Sequence, residues 1–104
     1  MEGSKSKLRK LFRVDGEFNG PKVIELHREL FHELSMGSKD LVIDFSLVEA
    51  LDVTATVLLV GTNNLCKKAG GRLLLRNVGE KIFGTLSALG LDKHFEIEAT
   101  TNTA

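Results

Sequence analysis

The sequence predicts an α/β domain in which a mostly parallel sheet of four to five strands has helices packed against it. Three observations support this class. Short apolar segments of strand length alternate with longer segments in which apolar residues recur every three or four positions. The connections between segments are only a few residues long, and one apolar segment has the unbroken character of a strand buried inside a parallel sheet. Such alternation favours parallel strands with helices against them.

The first strand is predicted over residues 11–18, with a bulge or bend at Asp15-Gly16. The Asn19-Gly20-Pro21 segment then combines a capping residue with a proline near the first helical position, so a helix is expected over residues 21–35. Gly37 is placed to end this helix in a left-handed conformation. One face of the helix is predicted to carry its apolar residues: Val23, Ile24, Leu26, Leu30, Phe31 and Leu34.

The second strand is predicted over residues 41–45, followed by a turn over residues 46–51. The clearest helix runs from Thr54 to Ala69, and Gly70-Gly71 ends it. Three- and four-residue spacing predicts the inward face of this helix, which consists of Ala55, Leu58, Leu59, Thr62, Leu65, Cys66 and Ala69.

A third strand is predicted over residues 72–77, and a third helix over residues 80–89. Gly90-Leu91 is typical of a Schellman ending, in which the residue after the glycine packs back onto the last turn. A closing strand is expected over residues 94–98. We therefore predict one domain over residues 11–98, between a flexible segment at residues 1–10 and a polar tail at residues 99–104. The third helix carries its apolar residues on one side: Ile82, Phe83, Leu86 and Leu89.

Composition and charge exclude several classes of function. Fourteen basic and fourteen acidic side chains cancel, and both Trp and Tyr are absent, so a nucleic-acid interface is not expected. The apolar runs are too short to span a membrane. Cys66 is the only cysteine, which fits a reducing, cytoplasmic compartment in which a membrane is reached only through a partner.

No active site, metal site or cofactor site is predicted. The glycines before the first helix lack the spacing and the Lys-Ser/Thr partner of a phosphate loop. His27 and His32 are five residues apart, which turns them to different sides of a helix, and Cys66 is expected to be a core thiol. Asp44 interrupts the buried strand; it either accepts bonds from the backbone of a neighbouring loop or forms a polar site with Asp52. We predict that the protein is not an enzyme.

The segment around Thr54 joins the buried strand to the strongest helix. The first N–H groups of a helix lack internal partners, and the helix dipole makes that end partly positive. Asp52 or Thr54 could simply cap the helix. Alternatively, a phosphate on Thr54 would add about −1.5 to −2 charges where anions are favoured, which would make Thr54 a switch.

Valine residues on the outer side of the same helix suggest an interaction surface. Val53, Val57 and Val60 are predicted to point away from the inward face, near Asn64. Apolar residues in this position are either covered by another element or available to a partner or a second copy of the chain.

Asp44-Phe45-Ser46 ends the second strand, and Asp52-Val53-Thr54-Ala55 begins the helix that follows it. The two segments resemble the Asp-hydrophobic-Ser strand end and the Asp-Ser-Ser/Thr-Gly helix start of the STAS family of anti-sigma-factor antagonists. Gly16-Glu17-Phe18-Asn19 is similar to its Gly-Glu-Leu-Asp. Ala69 to Leu73 resembles its helix-to-strand junction, and Leu89 to Asp92 its closing Gly-Leu-Asp. Val53, Ala55 and Asn19 stand where the family has Ser, Gly and Asp.

This resemblance implies a partner-switching domain that binds a serine/threonine kinase acting as an anti-sigma factor. Thr54 corresponds to the family's phosphoacceptor, and the unphosphorylated form would bind the partner and free the sigma factor. The alternative that the resemblance leaves open is a regulatory domain or subunit of a membrane transporter of anions or lipids. The predicted partner surface consists of Asn19, Gly20, Lys22, Asp52, Val53, Ala55 and Val57.

Overall fold

The computed structural model describes residues 9–99 and has the predicted α/β architecture. Within these residues all four strands are parallel, in the order β1-β2-β3-β4. The flexible segment predicted at residues 1–10 lies mostly outside the described residues. The same is true of the polar tail predicted at residues 99–104. The elements are β1 (Arg9–Phe18), α1 (Gly20–Ser35), β2 (Asp40–Leu51), α2 (Val53–Lys68), β3 (Arg72–Val78), α3 (Glu80–Ala88) and β4 (Glu96–Ala99).

The core forms where one face of the sheet meets the helices. Phe12, Ile43, Leu75 and Ile97 are cross-strand neighbours in register, so alternation places their side chains on the same face. The first three of them form one cluster with buried residues of all three helices, and Ile97 packs against its edge. Each crossover moves one strand along in the same direction, and right-handed crossovers of this kind place successive helices on the same face of a sheet. The helices therefore form one layer.

The turn predicted over residues 46–51 is wrong, because β2 continues to Leu51. Beyond Asp44, β2 pairs only with β1, so its other edge is unpaired and polar residues are tolerated there. The predicted bulge is confirmed: register shifts lie between Arg13 and Asp15 and between Gly16 and Glu17, and Gly16 has φ of 69°. Bending at the bulge keeps the two long strands paired.

The predicted helix endings are confirmed in their main features. Gly37 has φ of 100°, and the N–H of Leu91 donates to the carbonyl of Leu86 at 2.8 Å, as a Schellman ending requires. The closing strand begins later than predicted, at Glu96. The residues before it form a turn, in which the N–H of His94 donates to the carbonyl of Leu91 at 3.0 Å.

The helix faces are narrower than the sequence predicted. Ile24 and Phe31 of α1 are exposed, and so are Leu65 of α2 and Phe83 of α3. Ala69 and Leu89, which directly follow α2 and α3, are exposed as well. Within the described residues the helices have the sheet on one side and solvent on the other, so only the central stripe of each helix is buried. Cys66 lies on such a stripe and is fully buried, and burial, followed by the charge of Asp40, raises the pKa of its thiol to about 11.

Candidate functional site

The start of α2 is built by Asp52, which is the N-cap of the helix. Its backbone is extended, and its carboxylate accepts a hydrogen bond from the N–H of Ala55 at 2.8 Å. The hydroxyl of Thr56 donates to the carbonyl oxygen of Asp52 at 2.9 Å. Of the two capping residues that the sequence suggested, the structure uses Asp52, and this leaves the Thr54 side chain for another role.

Thr54 lies in the first turn of α2, and its side chain is exposed. Val53 and Val57 flank it with exposed fractions of 71% and 64%. Ala55 is fully buried in the core, as its place on the predicted inward face of α2 requires, so its assignment to the partner surface is wrong. Val60 was predicted to point outward but is half-buried against the same core. Of the three valines predicted to point outward, only Val53 and Val57 are therefore exposed beside Thr54.

The β1–α1 junction lies beside the start of α2. Phe18 and Leu51 are register partners, and the N–H of Asp52 donates to the carbonyl of Phe18 at 3.4 Å. Because these last residues of β1 and β2 are paired, the helices that follow them start next to each other. Asn19 and Gly20 thus lie near Asp52, as a joint partner surface requires.

Lys22 is turned towards β1 rather than towards α2. Its ammonium donates to the backbone carbonyl of Asp15 and lies 3.0 Å from the carboxylate of the same residue. The hydrogen bond from Lys22 and its charge hold the pKa of Asp15 below the usual value. The sequence could not show this pairing, because it depends on the bulge that brings Asp15 towards α1.

Asp44 is buried and serves the structure rather than a reaction site. Its carboxylate accepts hydrogen bonds from the Ser46 N–H at 2.9 Å and from the Asn77 side chain at 3.1 Å, and Arg13 lies 3.3 Å away. Burial opposes the charge, but these hydrogen bonds together with Arg13 hold the pKa of Asp44 below its usual value. The sequence analysis missed Asn77, which donates to the Asp44 carboxylate. The backbone of Asn77 is left-handed, with φ of 58°, a conformation that asparagine adopts more readily than most residues.

We expect Asp52→Ala to lower the free energy of unfolding by about 1 kcal/mol, because the Ala55 N–H loses its acceptor. Urea denaturation monitored by circular dichroism measures this loss. Asp52→Asn is the matched control: its side-chain oxygen can accept the same bond, and the expected change is a few tenths of a kcal/mol. Equal losses in both variants would show that charge, not capping, is what Asp52 contributes.

Within residues 9–99, no helix is long and apolar enough to cross a membrane. The His, Cys, Asp and Glu side chains of the same residues form no group of three or more that could hold a metal ion.

Comparison with known proteins gives a consistent family. The family model of the STAS domain matches residues 4–104. The crystal structure of a candidate anti-sigma factor antagonist from Thermotoga maritima superposes with a TM-score of 0.80 at 24% identity, covering 88% of this chain and 79% of that one. An NMR structure of the same protein gives 0.77 at 24% identity, covering 86% and 73%.

A second kind of protein shares the fold. The structure of a sulfate transporter family protein from Wolinella succinogenes has a TM-score of 0.67 at 19% identity, covering 88% of this chain and 78% of that one. None of the curated proteins matches the chain in sequence. At these identities the solved structures establish the fold of the chain, and the family model establishes the family.

Proposed function

Because the chain belongs to the STAS domain family, we propose that it is a non-enzymatic, cytoplasmic partner-switching domain, which binds an anti-sigma factor that is also a serine/threonine kinase. One observation carries the proposal: Thr54 is exposed in the first turn of α2, between the exposed Val53 and Val57. In this proposal Thr54 is the phosphoacceptor. The fold shared with a candidate anti-sigma factor antagonist supports it.

The unphosphorylated surface suits a partner that buries apolar side chains. The exposed side chains of Val53 and Val57 can be buried in this way. The Asp52 carboxylate already accepts a hydrogen bond from the Ala55 N–H. Asn19 and Gly20 extend the surface from the neighbouring junction. Lys22 and Ala55 contribute indirectly, Lys22 by holding the β1 bulge and Ala55 by anchoring α2 in the core.

Phosphorylation of Thr54 would oppose this contact for two electrostatic reasons. The phosphate brings about −1.5 to −2 charges into an apolar interface, where desolvation of the anion is costly. It also lies close in sequence to the Asp52 carboxylate, which already occupies one of the N–H groups of the first turn. A coupling of about 1–3 kcal/mol, which corresponds to roughly 5- to 150-fold in affinity, is sufficient for a switch.

Ala55 does not hinder a kinase in this arrangement. Its methyl group points into the core, on the opposite side of the helix backbone from solvent. Glycine is not needed here, because the residue lies in the first turn of a regular helix.

Mass spectrometry of the chain after incubation with ATP and a candidate anti-sigma kinase tests the switch. We expect phosphate on Thr54, loss of modification in Thr54→Ala, and retention in Thr56→Val. Thr56 is the matched control because its hydroxyl is buried and donates to the Asp52 carbonyl. Thr54→Glu should weaken capture of the same kinase by roughly 5- to 150-fold. Equal phosphate uptake by Thr54→Ala would remove Thr54 from this role.

A second candidate function is a regulatory domain or subunit of a membrane transporter. The fold shared with a sulfate transporter family protein favours it. In that case the chain should co-purify with a permease, and Thr54→Glu should bind the permease as well as the wild type does. Thr54→Glu therefore separates the two candidates, because it should weaken binding of a kinase partner and leave binding of a permease unchanged.

A further inference from the structure

An apolar groove runs between α1 and α2 on the side of the helix layer that faces away from the sheet. Its volume is about 540 Å³, and none of its twelve lining residues is Asp, Glu, Lys or Arg. Four large apolar residues on its walls are exposed, with exposed fractions between 40% and 64%. These four are Ile24, Phe31, Val57 and Leu65. Large exposed apolar patches of this kind mark binding sites.

The length of the groove matches three turns of helix. It is lined on α1 from Val23 to Leu34 and on α2 from Thr54 to Leu65. Both stretches correspond to about 16 Å at the helical rise per residue. An amphipathic helix can lie in such a groove with its apolar residues spaced by three or four positions. Gly61 lies on one wall with open space around it, so the backbone of α2 can be approached closely there.

The acidic residues of α1 lie on the opposite side of that helix. Glu25 and Glu29 line a separate depression beside β1, which they share with Lys22. Glu33 lies 3.8 Å from the ammonium of Lys10 on β1. These side chains therefore contribute no negative charge to the edges of the groove.

Two basic residues lie on the groove sides of α1 and α2, while the acidic Asp52 caps the end of α2 at which Thr54 lies. Arg28 is exposed and follows Ile24 by four positions on α1, so the two lie on the same side of the helix. Lys68 is exposed and follows Leu65 by three positions on α2, which has no charged residue from Val53 to Cys66. Neither Arg28 nor Lys68 forms an ion pair with a residue that the structure describes. As far as residues 9–99 are concerned, both are available to a partner.

From these observations we infer that the groove receives an amphipathic helix of the partner protein, apolar on one side and acidic along its flanks. The inference rests on the proposed function only in that the chain binds a protein partner. A second copy of the chain is a poorer occupant, because it would bring Arg28 and Lys68 of both copies into one interface. An acid-flanked helix instead pairs its carboxylates with Arg28 and Lys68.

The same arrangement relates the groove to the switch. Thr54 lines the end of the groove at which α2 begins. A phosphate on its hydroxyl would face the acidic flank of the bound helix and repel it. Phosphorylation of Thr54 alone would in this way release the whole partner helix from the groove.

Synthetic helical peptides of about 15 residues test the groove without the natural partner. One peptide carries a leucine stripe flanked by glutamates, and the matched peptide has every glutamate replaced by lysine. We expect the glutamate peptide to bind about tenfold more tightly, measured by fluorescence anisotropy. NMR shift changes on binding should lie at Ile24, Phe31, Val57 and Gly61, and not at Leu47 of β2.

Two pairs of variants make the test specific. Arg28→Glu/Lys68→Glu should reverse the preference in favour of the lysine peptide. Lys81→Glu/Lys93→Glu changes the net charge equally but lies outside the groove, and it should keep the original preference. Val57→Asp should abolish binding of the glutamate peptide, whereas Leu47→Ser, which alters an exposed residue of β2, should not.

Binding of neither peptide, equal binding of both, or shift changes on another face would overturn the inference. So would sedimentation showing a dimer that Val57→Asp dissociates, because a second copy would then occupy the groove. These results concern the unphosphorylated chain and leave the phosphorylation of Thr54 to its own test. Conversely, peptide binding that is unaffected by Thr54→Glu would support the groove and count against the switch.

Discussion

Gly71→Ala should destabilise the protein by about 3 kcal/mol or prevent it from folding. A methyl group at this position would overlap the backbone carbonyl of Lys39, with its carbon 2.5 Å from the carbonyl carbon. That carbonyl also accepts the N–H of Arg72 at 3.2 Å, where β2 and β3 begin to pair. Neither backbone can move without disturbing the sheet. Urea denaturation monitored by circular dichroism measures the loss.

Substitutions of two other glycines, Gly61 and Gly70, are matched controls for Gly71→Ala. Gly61 lies in open space inside α2, and Gly61→Ala should stabilise the protein by up to about 1 kcal/mol through helix propensity. Gly70 has φ of 88° with no close neighbour, so Gly70→Ala should cost about 1–2 kcal/mol from backbone strain alone. If Gly71→Ala costs no more than Gly70→Ala, the close approach to Lys39 is not what requires glycine.

The glycines show which part of the fold the sequence could predict. The end of α2 was predictable because Gly70-Gly71 follows a long periodic segment. The separate reasons for the two glycines were not: Gly70 needs a left-handed backbone, whereas Gly71 needs space next to Lys39, a residue 32 positions earlier. Local pattern identifies a helix end, but a close approach between distant segments depends on how the strands are aligned.

The width of the buried helix faces likewise depends on tertiary structure and not only on the local sequence pattern. Periodicity predicted α1 and its buried residues Val23, Leu26 and Leu30. It also placed Ile24 and Phe31 on that face, because a wide apolar stripe usually means a wide buried surface. Within the described residues no second layer covers the helices, so these side chains remain exposed. Both Ile24 and Phe31 line the groove between α1 and α2.

At the candidate site, the sequence placed Thr54 at the start of α2, and the structure has this residue exposed in the first turn. The sequence left the cap open between Asp52 and Thr54, and the structure has Asp52 as the cap. Periodicity also predicted correctly that Ala55 is buried, although the family resemblance had placed it on the partner surface. The role of Lys22 was not predictable, because it depends on the bulge in β1, which is a feature of the tertiary structure.

Asp44→Ala should lower the free energy of unfolding at neutral pH by about 3 kcal/mol. The carboxylate accepts bonds from the Ser46 N–H and from the side chain of Asn77, and alanine leaves both donors without this acceptor. Arg13 is largely exposed and should contribute little, so Arg13→Gln is the matched control, with an expected loss below about 1 kcal/mol. Urea denaturation of the three proteins measures both effects.

The pH dependence of this difference separates charge from packing. The folded-state pKa of Asp44 lies below its usual value, because the hydrogen bonds and Arg13 outweigh the cost of burial. The charged carboxylate therefore stabilises the protein above about pH 4, and this contribution is lost as the pH falls through the folded-state pKa. The stability gap between wild type and Asp44→Ala should consequently narrow as the pH falls below about 4. A gap that is constant from neutral to acid pH would mean that Asp44 acts through its shape, because titration of other carboxylates affects both proteins alike.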